Sequence, residues 1–246
     1  MRGAALNWLG RLDEARAQYL HAITLAELDE TPEVVGWTAF LLCQSIWRIG
    51  DAEQTMACAR RVAEVAETLG SPLLVLYRHI GHVMAWLCAG EPARAIAEAE
   101  QAMEVVKRTE FHWSGAARLY YAQALLEGDR LEDALVQARL AVSECRTCGT
   151  AHFEAEAWGV LAMALLATQG VAARAEIEHA LGQVSGKIAD GVARVLEPEL
   201  CAWQAALAMA VGDSAIAMRH YEAARAIHHA RGAAARIAGL ATVAVT

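Results

Sequence analysis

Apolar side chains recur along this chain at the three- and four-residue steps that bring them onto one face of a helix. Trp37, Phe40, Gln44 and Trp47 form one such stripe, interrupted by a single polar residue, and Tyr77, Ile80, Met84 and Leu87 form another. Short polar or glycine-bearing breaks separate the stripes. Reading helices between the breaks gives segments near 3–9, 12–29, 33–49, 51–69, 73–89, 92–108, 114–127, 131–147, 151–168, 172–184, 193–211 and 214–230, then a last one near 233–244.

The breaks themselves repeat. Glycines 10, 50, 90, 128, 170 and 212 each close one helix and open a short turn, at intervals of 40, 40, 38, 42 and 42. The residues after these glycines are alike: Arg11-Leu12-Asp13-Glu14-Ala15 after the first, Asp129-Arg130-Leu131-Glu132-Asp133-Ala134 after the fourth, Asp213-Ser214-Ala215-Ile216-Ala217 after the sixth. Glycine accepts the left-handed conformation that ends a helix, and acidic residues beside it suit the positive end of the next one. A looser second set of breaks lies between, at Asp29–Pro32, Leu69–Pro72, Thr109–His112, Cys148–Thr150 and Gly186–Gly191. The repeating unit is therefore a helical hairpin, and the expected fold class is all-α: a solenoid of about six hairpins plus a terminal helix.

Aligned on the turn glycine, the first hairpin supplies Gly3, Gly10, Ala15, Tyr19 and Ala22, and the sixth supplies Ala205, Gly212, Ala217, Tyr221 and Ala224. This pattern resembles the tetratricopeptide repeat, in which a small residue on the first helix admits the second, and the second turns alanine, a bulky residue and alanine inward. The third hairpin keeps the alanines as Ala95, Ala99 and Ala102. The fifth puts His179 and Gly182 where a bulky residue and an alanine are expected. The resemblance implies a right-handed superhelix. The period of about 40 exceeds the family's usual 34 and is similar to the long-repeat helical arms of bacterial signalling ATPases, adenylate cyclases and transcription regulators. Leu196-Glu197-Pro198-Glu199-Leu200, Ala223–Ile227 and Ala230-Arg231-Gly232 carry that narrower likeness. The first helix is shorter than its counterparts, so residues 1–246 are read as one repeat domain and as a piece of a larger protein.

Composition agrees with helices. Hydrophobic residues make up 56% of the chain and aromatic ones only 6%, with alanine dominating, the residue that loses least side-chain entropy in a helix. The net charge is −8, and Lys107 and Lys187 are the only lysines, so nothing is available to neutralise a run of phosphates and no direct nucleic-acid partner is expected. The most apolar run, Ala157–Thr168, is shorter than the roughly 20 residues a bilayer crossing needs. No membrane partner is expected, and the six cysteines read as reduced thiols of a cytoplasmic protein.

Stacked hairpins present their first helices on a concave face, the usual binding surface of such solenoids. The alignment places Trp37, Phe40, Gln44 and Trp47 of the second hairpin there, with Tyr77 and Met84 of the third and Arg118 of the fourth. The bland alternative is that these aromatics are core. The family's clamp for a peptide carboxylate needs lysines and asparagines on these helices, and the one asparagine here is Asn7, so that mode is rejected. Cys145, Cys148 and His152 have a ligand-like spacing but no second pair to close a zinc site. His79, His82, His228 and His229 have no carboxylate or nucleophile at a telling spacing. No phosphate loop, nucleophile elbow or protease motif occurs. The reading is a non-catalytic interaction scaffold without metal or cofactor, binding a protein or peptide partner and joined to an ATPase, cyclase or DNA-binding domain outside this chain. The alternative reading is a small-molecule sensor, and a third is a homodimer formed through the end helices.

Overall fold

The computed structural model describes residues 2–109 and 114–237 of the chain. Twelve α-helices and no strands occur among the described residues. They pair as hairpins: α1 (Arg2–Trp8) with α2 (Leu12–Leu28), α3 (Pro32–Ile49) with α4 (Ala52–Leu69), α5 (Pro72–Cys88) with α6 (Pro92–Thr109), α7 (Ser114–Glu127) with α8 (Leu131–Thr147), α9 (Ala151–Gln169) with α10 (Arg174–Ala189), and α11 (Glu197–Ala210) with α12 (Ser214–Ala230). Each helix packs on the next, and α3, α5, α7 and α9 also touch one another in succession. The result is an all-α superhelical solenoid. A helical turn over 234–237 starts where the sequence predicts the terminal helix, and the rest of that segment lies outside the described residues.

The turn chemistry explains the hairpins. Gly50 takes φ 82° and ψ 19°, and the next residue, Asp51, accepts a hydrogen bond from the Gln54 amide at 2.9 Å to cap α4. Asp213 caps α12 in the same way through the Ile216 amide at 3.0 Å. In the fourth hairpin the left-handed position falls not on Gly128 but on Asp129, at φ 62°, one of the few residue types that tolerates it.

The fifth hairpin departs further. A 3₁₀ turn over Gly170–Ala173 leads directly into α10, so the inward set is Ala173, Ile177 and Ala180, all buried, while His179 and Gly182 face out. The family spacing is intact but begins two residues earlier. The break expected over Gly186–Gly191 begins only at Asp190, because α10 runs through Gly186 to Ala189.

Buried signature residues include Ala15, Tyr19, Ala95, Ala99, Ala102, Ala217, Tyr221 and Ala224. One core cluster extends from Leu12 to Leu207, with smaller clusters around Tyr19 and Tyr221 at the two ends. Helix α9 and its continuation, Ala151–Ala189, are apolar enough by composition to cross a bilayer. Here α9 is spent on the core, burying Phe153, Val160, Leu161 and Leu165 among others.

Candidate functional site

The superhelix curls far enough for its last turns to meet its first. Trp8, at the end of α1, lies 4.3 Å from the His152 ring and 5.4 Å from that of Phe153, both at the start of α9. Arg48, at the end of α3, donates to Glu156 of α9 at 2.6 Å, both side chains being buried, and Glu199 of α11 stands 3.9 Å away. Arg236 donates to the Trp47 carbonyl at 2.6 Å, and Arg231 donates to the Val195 carbonyl at 2.7 Å.

The effect of this closure on the expected groove is direct. Trp47 is buried edge-on against Tyr120 of α7, at 5.6 Å between ring centres, with Arg48 over its own ring at 4.5 Å. Met84 is fully buried. Neither lines an accessible surface, because the first helices converge and pack these side chains on one another. Arg118 turns the other way, donating to Glu144 at 2.9 Å and Gln137 at 2.6 Å on α8, its own hairpin partner.

The remaining four, Trp37, Phe40, Gln44 and Tyr77, share a cavity of about 520 Å³. Trp8, Tyr19 and Phe153 complete an aromatic lining, and Arg2, Gln18, His21, Thr38 and His152 join Gln44 as its polar groups. Phe40 and Tyr77 stack at 4.1 Å with planes 2° apart. Tyr77 and Phe40 are buried, whereas Trp37 is exposed. Burial pushes the Tyr77 phenol up to about 12, against a hydrogen bond from Trp37 that lowers it. Burial also pushes the His152 imidazole down to about 4, with Arg48 adding to the effect. The phenol and the imidazole are therefore uncharged at neutral pH, and the cavity suits an apolar occupant.

Helical spacing points to Trp37, Phe40, Gln44 and Tyr77 but misses Trp8, Tyr19, His152 and Phe153. The repeat pattern marks Tyr19 only as a packing residue, and α9 reaches the cavity through superhelical closure, which leaves no local trace in the sequence. A second cavity, of about 580 Å³, lies between α10, α11 and α12, where Leu181, Leu207 and Ile216 form its apolar part and Arg174, Glu178 and Asp213 its polar part. It opens between one first helix, α11, and two second helices, α10 and α12.

The histidines and cysteines resolve differently from their spacing. His79 is buried and does have a carboxylate partner, Glu98 of α6, at 2.7 Å. That contact holds the Glu98 carboxyl below its ordinary range. His228 is buried, which pushes it down to about 4. Cys145 is buried, its thiol raised to about 12, while Cys148 is exposed and His152 packs at a tilt on Trp8. Among the described residues no group of three or more histidine, cysteine, aspartate or glutamate side chains is placed to hold a metal ion.

No family model matches the chain, and no curated protein matches it. Solved structures do. The apo form of RapI superposes with a TM-score of 0.65 at 10% identity, over 91% of this chain and 79% of that one. BtubC (BKLC) from P. vanneervenii gives 0.59 at 16% identity, over 90% and 92%. The apo form of the quorum sensor NprR from B. thuringiensis gives 0.56 at 14% identity, over 92% of this chain and 64% of NprR. At these identities the likeness concerns the fold, a tetratricopeptide-like helical repeat.

Proposed function

We propose that this chain is a non-catalytic regulatory module that takes an apolar segment of a partner protein or peptide into the aromatic cavity of its concave face. The observation that carries the reading is exposed Trp37 at a cavity whose lining also holds buried Tyr19, Phe40, Tyr77 and Phe153. An exposed tryptophan beside apolar walls is the residue type that dominates binding energy at protein interfaces. The fold is one that a quorum sensor, NprR, also uses, which supports a signalling role.

A small effector is the second reading, favoured by the volume of about 520 Å³, within the range of roughly 300–1,000 Å³ typical of small-ligand sites. The chain and its Trp37→Ala variant, immobilised side by side, separate these readings when exposed to a bacterial lysate and to its protein-free metabolite extract. Trp37 is about half covered and bonds buried Tyr77, so both chains are used at a temperature where circular dichroism shows each fully folded. A protein or peptide retained only by the unmodified chain supports the first reading, and a metabolite so retained supports the second. Equal retention by both chains removes the cavity from the account.

A further inference from the structure

We infer that this cavity selects an occupant whose apolar body carries a neutral amide, a group that both donates and accepts hydrogen bonds, and that Gln44 of α3 and His152 of α9 receive it. The inference rests on the binding role proposed above and adds the polar chemistry that an occupant must bring.

Helix α3 buries the polar side chains of Thr38, Gln44, Ser45 and Arg48. They divide by what they face. Ser45 and Arg48 lie outside the cavity lining, and each has a partner: Ser45 donates to Asn7 Oδ1 at 2.8 Å and Arg48 to Glu156 at 2.6 Å. Thr38 and Gln44 line the cavity, at 7% and 4% exposure. The threonines elsewhere within helices, Thr24, Thr55, Thr68, Thr109, Thr147 and Thr168, all donate to the carbonyl four residues back. Among the described residues Thr38 makes no such bond. Gln44 approaches the Tyr120 phenol of α7, yet that hydroxyl is left without a hydrogen-bond partner.

His152 completes the set. Its ring packs on Trp8, and neither ring nitrogen has a hydrogen-bond partner among the described residues. Folded proteins leave few buried polar groups unpaired, and here they gather on one cavity. Gln44, Tyr120 and His152 stand on α3, α7 and α9, so their wall belongs to the interior of the superhelix.

The chemistry of that wall selects the ligand. A carboxamide presents N–H donors and a carbonyl acceptor, and an uncharged imidazole presents one of each. An ester only accepts and leaves the Gln44 carbonyl unmet, and an ammonium leaves the donors unmet. A carboxylate also needs a cation, but Arg48 is already held by Glu156 and Arg2 is exposed to solvent. A neutral amide meets both sides. A site that hydrogen-bonds its ligand rejects an analogue lacking the group, because its own buried polar atoms are then left unpaired.

The probes are 2-naphthylacetamide, methyl 2-naphthylacetate and 2-naphthylacetate, which share one apolar body. Binding is followed by calorimetry in the full chain and in its Gln44→Met and Trp37→Ala variants, each shown to be folded by circular dichroism. The amide should bind the unmodified chain more tightly than the ester or the carboxylate. Gln44→Met should lower the amide-to-ester preference at least about tenfold, and Trp37→Ala should weaken all three. An amide no tighter than the ester in the unmodified chain overturns the inference without any variant, as does a carboxylate that binds best or a preference that survives Gln44→Met. Probes that bind alike and depend on Trp37 leave the binding role standing without the amide. If none of the three binds at millimolar concentration, both readings are overturned.

Discussion

His152 shows how the fold changes what a residue is. In the sequence it sits four positions after Cys148 like a ligand, and in the structure it is packed on Trp8, with burial and Arg48 pushing its imidazole from 6.5 to about 4. Below pH 6.5 the unfolded chain takes up a proton that the folded chain refuses until about pH 4. Its contribution is therefore complete above 6.5 and lost as the pH falls through that window. A shift of that size corresponds to on the order of 3 kcal/mol, and His228, also held near 4, acts with the same sign. Thermal unfolding followed from pH 7 to 4.5, above the range where carboxylates dominate, should show the midpoint falling steadily. His152→Phe, which keeps a ring on Trp8, should reduce that slope by about half while raising the midpoint at pH 5 relative to the unmodified chain. An unchanged slope would mean that the imidazole is solvated.

Between elements, the buried Arg48–Glu156 pair is the strongest tie linking α3 to α9, at 2.6 Å. Desolvating both charges offsets most of their attraction, so the pair as a whole contributes little. Removing Arg48 leaves Glu156 buried and unpaired, at about 3–5 kcal/mol, whereas removing Glu156 leaves Arg48 the more distant Glu199 at 3.9 Å. Urea unfolding should therefore show a loss of that size for Arg48→Met, a smaller one for Glu156→Leu, and a double-variant loss below the sum of the two. Strictly additive losses would show that the two charges are not coupled. This tie was invisible in the sequence, since 108 residues separate its partners, whereas the helices they sit on were legible. Glycine punctuation and three-four spacing give α3, α5 and α7 nearly to the residue, because both signals are local. They fail where a local rule has an equally local substitute, Asp129 in place of Gly128 and a 3₁₀ turn at Gly170, and where α10 runs through Gly186 to Ala189.

At the scale of the molecule, the candidate site was half legible for a related reason. Helical spacing identifies which side chains share the inner face of each hairpin, but how far the superhelix curls decides which of them remain accessible. Trp37 and Trp47 lie on the same stripe of α3, and closure buries the second while leaving the first exposed. Besides the α1–α9 ring contacts and the Arg48–Glu156 pair, that closure is joined by contacts of two late arginines. Arg231 donates to the Arg194 and Val195 carbonyls and lies against the Gly10 turn, and Arg236 donates to the Trp47 carbonyl and sits 5.4 Å over its ring. Hydrogen bonds from a charged donor contribute about 1.5–3 kcal/mol each. The Arg231→Ala, Arg236→Ala double variant should therefore keep its helical circular dichroism, unfold at lower urea, and scatter X-rays as a larger particle. Trp47 should become quenchable by acrylamide, read in a chain whose other tryptophans are replaced by phenylalanine. If the scattering profile of the variant superposes on that of the unmodified chain, the curl is set by the hairpin interfaces alone, and the terminal arginines only decorate a ring that closes without them.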